Sequence, residues 1–174
     1  AMIRHVIKIS AAVCFFSVAA LLFGDSGEVL YRQTVYIRAL SDGTEKIIRS
    51  TVGKETVENQ LTLIVTELTS GDIQIRSEKF KLGKMPFSSS LYCVIPKEKI
   101  QHDANGAYLL DNLQGTYKVM ASKSDMIFTG SVGIHTCMLT LTANGMGKKL
   151  NMQLASDEMT LQEMSDAAAG VDNR

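Results

Sequence analysis

The stretch "HTCMLTLTANGMGKKLNMQL" (His135–Leu154) alternates apolar and polar side chains with a period of two. Cys137, Leu139, Leu141 and Ala143 fall on one face, and Met138, Thr140 and Thr142 on the other. Successive side chains of a strand point to opposite sides, so this is a half-buried β-strand. Asn144-Gly145 follows, a dipeptide suited to the positive backbone angles of a tight hairpin, and "KKLNMQL" is expected to pair back.

The same grammar extends towards the N-terminus. "VLYRQTVYIRAL" ends at the turn cluster Ser41-Asp42-Gly43, "TEKIIRSTV" runs to Gly53, and "ENQLTLIVTEL" stops at Thr69-Ser70-Gly71-Asp72. In "DIQIRSEKFKL" the apolar set switches parity between Ile75 and Phe80, which predicts a bulge or strand end near Glu78. "LYCVI", "AYLLDNL", "GTYKVMA" and "MIFTGSVGI" complete the series. Nine or ten short strands with turn cues every 8–14 residues predict an all-β fold, an antiparallel β-sandwich. The expected organisation is an apolar N-terminal helix over 1–24 (signal peptide or anchor), a β-domain over 25–154 and a helical or disordered tail over 155–174. In the tail, Thr160 with Glu163 suits a capping box and Gly170 a helix stop.

The N-terminal segment sets the expected compartment. Ile9 to Gly24 is an uncharged run of 16 residues, preceded by Arg4, His5 and Lys8 and followed by Asp25 and Glu28. As a helix it would span roughly 24 Å, short of the roughly 30 Å hydrocarbon core but well sized for a signal-peptide core. Export is the expectation; a retained anchor or a buried strand are the alternatives. Taking Arg4 and Lys8 away with it leaves 16 basic residues against 18 acidic ones, which argues against a nucleic-acid partner. Cys14 would leave too, so Cys93 and Cys137 are candidates for one disulfide in an oxidising compartment. The alternative is two unrelated buried thiols.

The phrase "NGAYLLDNLQGTYKV" (Asn105–Val119) reads as a hairpin. Gly106 follows a turn, Tyr108 and Leu110 share a face, Asn112 bonds its own backbone in a tight turn, Gly115 permits positive φ, and Tyr117 and Val119 return on the core face. The phrase resembles one common in prealbumin-like β-sandwich modules, such as carboxypeptidase regulatory domains, adhesin repeats and the lumenal domain of an ER membrane complex subunit. It departs from that pattern in having only Gln114 between Leu113 and Gly115. The resemblance covers these 15 residues, and implies a non-catalytic binding or spacing module with no catalytic residue to carry over.

No nucleotide-binding loop, nucleophile elbow, zinc-protease helix or CxxC pair is present. "NGMGKK" lacks the spacing of a phosphate loop and reads as a hairpin with solvated lysines. His135 and Cys137 would share a strand face, yet two ligands cannot complete a tetrahedral metal site. His102-Asp103 sits in a polar loop, and Asp157-Glu158 lies in the tail. No catalytic residue, metal or cofactor is therefore expected. The expected function is a non-catalytic exported or lumenal domain that binds a protein or glycan, as an accessory subunit of a membrane complex for instance, and touches membrane only through an uncleaved N-terminal segment. The alternatives are a β-barrel carrier of a small apolar ligand, for which nine methionines would make an adaptable lining, and a cysteine-dependent hydrolase.

Overall fold

A computed structural model describes residues 26–145 and 147–172. The expected apolar helix over 1–24 lies outside them. Twelve strands follow in order: β1 (Gly27–Ser41), β2 (Thr44–Lys46), β3 (Ile48–Val52), β4 (Glu55–Glu58), β5 (Gln60–Leu68), β6 (Ile73–Ser77), β7 (Phe80–Leu82), β8 (Ser89–Ile95), β9 (Tyr108–Val119), β10 (Ser122–Val132), β11 (Cys137–Gly145) and β12 (Lys148–Ala155). Helix α1 (Glu158–Asp172) closes the described chain.

The strands do not form a sandwich. Eight of them, β1, β5, β6, β8, β9, β10, β11 and β12, pair antiparallel with their neighbours, and β12 returns to β1 through Tyr36↔Ala155 to Ser41↔Leu150. Pairing of β8 with β9, from Ser89↔Val119 to Tyr92↔Thr116, completes the ring. The result is a closed up-and-down barrel, which leaves no sheet edge in the ring. Alternation is the same in a sandwich and a barrel, so the sandwich expectation failed at these two pairings.

The remaining strands are excursions. β2 folds back on β1 through the turn Asp42-Gly43, whose φ values of 49° and 79° are those of a hairpin turn that glycine adopts freely. β4, β3 and β7 form a short outer extension joined to β8 only at Phe80↔Ser89. Their apolar residues Ile48, Phe80 and Leu82 join the core at the Ser77–Ser89 end of the barrel. The parity switch near Glu78 is where the barrel strand β6 ends at Ser77 and the outer strand β7 begins at Phe80.

Alternate residues of every barrel strand point inward. Val35, Cys93, Met126, Leu141 and Met152 present no surface to water, so the lumen between them is filled with side chains. Gly115 is part of that fit: a Cβ there would stand 2.6 Å from Phe128 Cε1 and 2.8 Å from Cys93 Cβ.

Three local expectations need correction. Tyr108–Val119 is one continuous strand, not a hairpin; Asn112 takes φ 46° as a bulge between Phe128↔Leu113 and Gly130↔Leu110. Thr129 Oγ1 donates to Asn112 Oδ1 at 3.2 Å across it. Gly115 has no positive φ and is required for space. At the β11–β12 hairpin, pairing runs through Asn144 and Gly145 to Gly145↔Lys148, so the turn falls two residues later than Asn144-Gly145. In the tail, Asp157 Oδ1 accepts from Thr160 N–H at 2.7 Å and caps α1, in place of Thr160, and the helix runs through Gly170. Ser165, buried on α1, donates to Gln153 Oε1 of β12 at 2.9 Å, docking the helix on the outside of the wall. Among the described residues no helix is long and apolar enough to cross a membrane.

Candidate functional site

The end of the barrel opposite the outer strands carries the polar groups of the lumen. Tyr31 and Gln33 continue the inward face of Val35 and Ile37 on β1, since their register partners Val65 and Leu63 are buried. Tyr31 Oη donates to the carbonyl oxygen of Val132 at 3.3 Å. Tyr108, opposite Val132 in the β9–β10 ladder, stands near Tyr31, and its ring lies 4.8 Å from that of His102. Burial, then the neighbouring Tyr108 and Cys137, push the Tyr31 phenol up to about 12. Burial, then the carboxylate of Glu67, raise Tyr108. The phenols of this rim therefore stay neutral at physiological pH and act as hydrogen-bonding groups.

Gln33 is half-buried, yet its Oε1 is sealed from water and meets no donor among the described residues. Exchanging the amide oxygen and nitrogen would leave a buried N–H group in the same position. An orphaned polar atom costs about 1–3 kcal/mol, so it asks for a partner. Leu63, its register partner, and Val65 beside it are buried and aliphatic, which is what a small ligand site needs beside a few convergent polar groups.

The sequence-derived candidates fall elsewhere. Cys93 and Cys137 both point inward but on β8 and β11, with β9 and β10 between them, and both thiols are free. The expected disulfide is absent from this arrangement. Burial pushes each thiol up to about 12, which leaves them poor nucleophiles. Cys137 lies 3.9 Å from the Leu154 carbonyl oxygen. His135 sits exposed in the loop before β11 and does not share a face with Cys137. His102 stacks on Tyr108 and Asp103 is spent on its own turn, accepting from Asn105 and Ala107 N–H at 2.8 and 3.0 Å. Gly106, Tyr108, Asn112, Gly115 and Tyr117 share the lead-in and strand of β9, where Tyr108 is the one that stands near Tyr31; Tyr117 is buried and bonds Ser89 at 3.0 Å. Gln33 and Tyr31 were not singled out from the sequence, where they read as ordinary strand residues. A glutamine on the apolar parity of a strand was the available signal.

With both thiols free and buried, iodoacetamide should leave Cys93 and Cys137 unlabelled in the native protein. It should label both after urea denaturation without reductant, as read by peptide mass. Labelling that requires prior reduction would establish a bridge instead.

No family model matches the chain, and neither a search of curated proteins nor one of solved structures found a match.

Proposed function

We propose that this protein is a non-catalytic ligand-binding barrel of the carrier kind. It takes a small, mostly apolar ligand at the end ringed by Tyr31 and Tyr108, which must part to admit it, with a ligand N–H or O–H directed to Gln33. The observation that carries this reading is the sealed, unpartnered Oε1 of Gln33 on the inner wall. Because the lower lumen is filled, the ligand is shallow, resting on Tyr31 and Tyr108 rather than passing down the barrel. The apolar leader Ile9–Gly24 supports an exported or lumenal setting.

The test uses N-phenyl-1-naphthylamine, an uncharged fluorophore with one N–H donor. Its fluorescence should rise saturably with the full chain. Gln33→Met removes the acceptor at similar volume, and should weaken binding by about tenfold, one hydrogen bond in an enclosed site. It should also leave the unliganded protein as stable or more so, since the orphaned group is gone. Binding that is absent, or indifferent to Gln33→Met, would overturn the proposal.

A further inference from the structure

We infer that a groove on the outside of the barrel wall, centred on Lys79, is a binding site for an acidic oligosaccharide. The groove arises where β6 leaves β8: the two pair up to Arg76↔Tyr92, and β8 then meets β7 only at Phe80↔Ser89. Lys79 stands in the gap and lines three adjoining concavities of about 640, 390 and 210 Å³. Six basic side chains border them: Arg49, Arg76, Lys79, Lys81, Lys118 and Lys123. Glu78 is the acid in this lining, and Arg32 holds it at 3.2 Å from outside. Arg49 is likewise engaged, by Glu58 at 3.5 Å. Arg76, Lys79, Lys81, Lys118 and Lys123 have no carboxylate within 4 Å among the described residues, although Asp125 faces Thr116 at the far margin.

Lys118 and Lys123 are direct register partners on β9 and β10. Like charges in that position repel, and a bound anion would remove the repulsion. In a chain without net charge, this concentration on one wall is a local feature of the fold.

The rest of the lining favours a sugar over other polyanions. Ser88, Ser90, Thr51, Thr56 and Thr116 offer hydroxyl groups suited to a hydroxyl-rich ligand. Tyr92, 42 % exposed, presents an aromatic face that can lie against the C–H face of a sugar ring. An acidic peptide would anchor through apolar side chains in pockets. The groove gives it little, because Phe80 and Leu91 are buried in the core and Met120, at the margin of the smallest concavity, is the aliphatic side chain it exposes. The occupant is thus a saccharide carrying sulfate or carboxylate groups.

The experiment titrates the full chain with a heparin octasaccharide by calorimetry at several salt concentrations. One saturable site with salt-weakened affinity is expected. Lys79→Gln with Lys118→Gln should weaken it by about tenfold, two charge-assisted contacts being lost. Lys148→Gln with Lys149→Gln removes the same charge from the exposed β12 hairpin and should change affinity less than twofold. Tyr92→Ala should weaken binding about fivefold with an unchanged salt slope. All these positions are exposed, and thermal midpoints should stay at the parent value. Equal weakening by the two lysine pairs would reduce the effect to a general field and overturn the inference. So would equal affinity for polyglutamate, anionic vesicles or an oligothymidylate, an indifferent Tyr92→Ala, or no binding of the octasaccharide. None of these outcomes bears on Gln33 and the tyrosine rim, which the fluorophore tests separately.

Discussion

Between pH 9 and pH 12 the protein is expected to lose much of its stability. Cys93 and Cys137 have ordinary thiol values near 9.0 once the chain is open, and are pushed up to about 12 by burial when it is folded. A folded value above the unfolded one means that the native state holds protons the unfolded state has released. The associated stability is fully present below pH 9 and disappears as the pH climbs through 12. With both thiols contributing, stability falls by about 2.7 kcal/mol per pH unit once the unfolded thiols are ionised. Over the three units to pH 12 that amounts to about 8 kcal/mol, a large part of a native margin of about 5–15 kcal/mol. Tyr31, also raised to about 12, steepens the loss in the upper part of the range. Thermal midpoints at pH 7, 9, 10 and 11 measure it. A Cys93→Ala, Cys137→Ala double variant should show a clearly flatter profile, with only the tyrosines left to titrate. A slope identical to the parent's would refute the assignment to the thiols.

The second large effect concerns the centre of the lumen. Phe128 is buried at 2 % exposure, and Phe128→Ala should cost about 3–5 kcal/mol by leaving a cavity. Gly115→Ala places its methyl carbon 2.6 Å from Phe128 Cε1, 2.8 Å from Cys93 Cβ and 2.5 Å from the Tyr92 carbonyl oxygen. Overpacking of that kind costs about 1–3 kcal/mol. The two sites are coupled through the same volume. Combining Gly115→Ala with Phe128→Leu should therefore destabilise less than the two changes summed, by at least about 0.5 kcal/mol. Relief is partial because the Tyr92 carbonyl belongs to the backbone and stays. Urea midpoints of the four proteins of the cycle decide it, and strict additivity would show that the ring and the glycine do not share space.

Part of this architecture is legible without coordinates. Alternation in Cys137–Ala143, the turn at Asp42-Gly43 and the parity switch near Glu78 are local, and local chemistry determines them. Closure is not local. It depends on Tyr36 meeting Ala155, and on Ser89 meeting Val119, pairings about which a strand's own residues carry no instruction. The same limit hid both candidate sites. Gln33 acquires meaning only when Leu63 stands beside it on the inner wall. Arg76, Lys79, Lys118 and Lys123 come from three separate strands and a loop, each with an unremarkable surface charge. Asn112 shows the converse, where a local cue was real but a bulge in an unbroken strand satisfies it as well as a turn does.

The pairing of β1 with β12 has a consequence during synthesis. The first barrel strand has its final partner at Ala155, 119 residues beyond Tyr36, so it leaves the ribosome long before the strand that will shield it exists. Until then a row of apolar side chains and a set of open backbone donors stand ready for any neighbouring chain. Closure of the ring thus comes late, and chains that stop before Lys148 would expose that unpaired strand instead of forming shortened barrels.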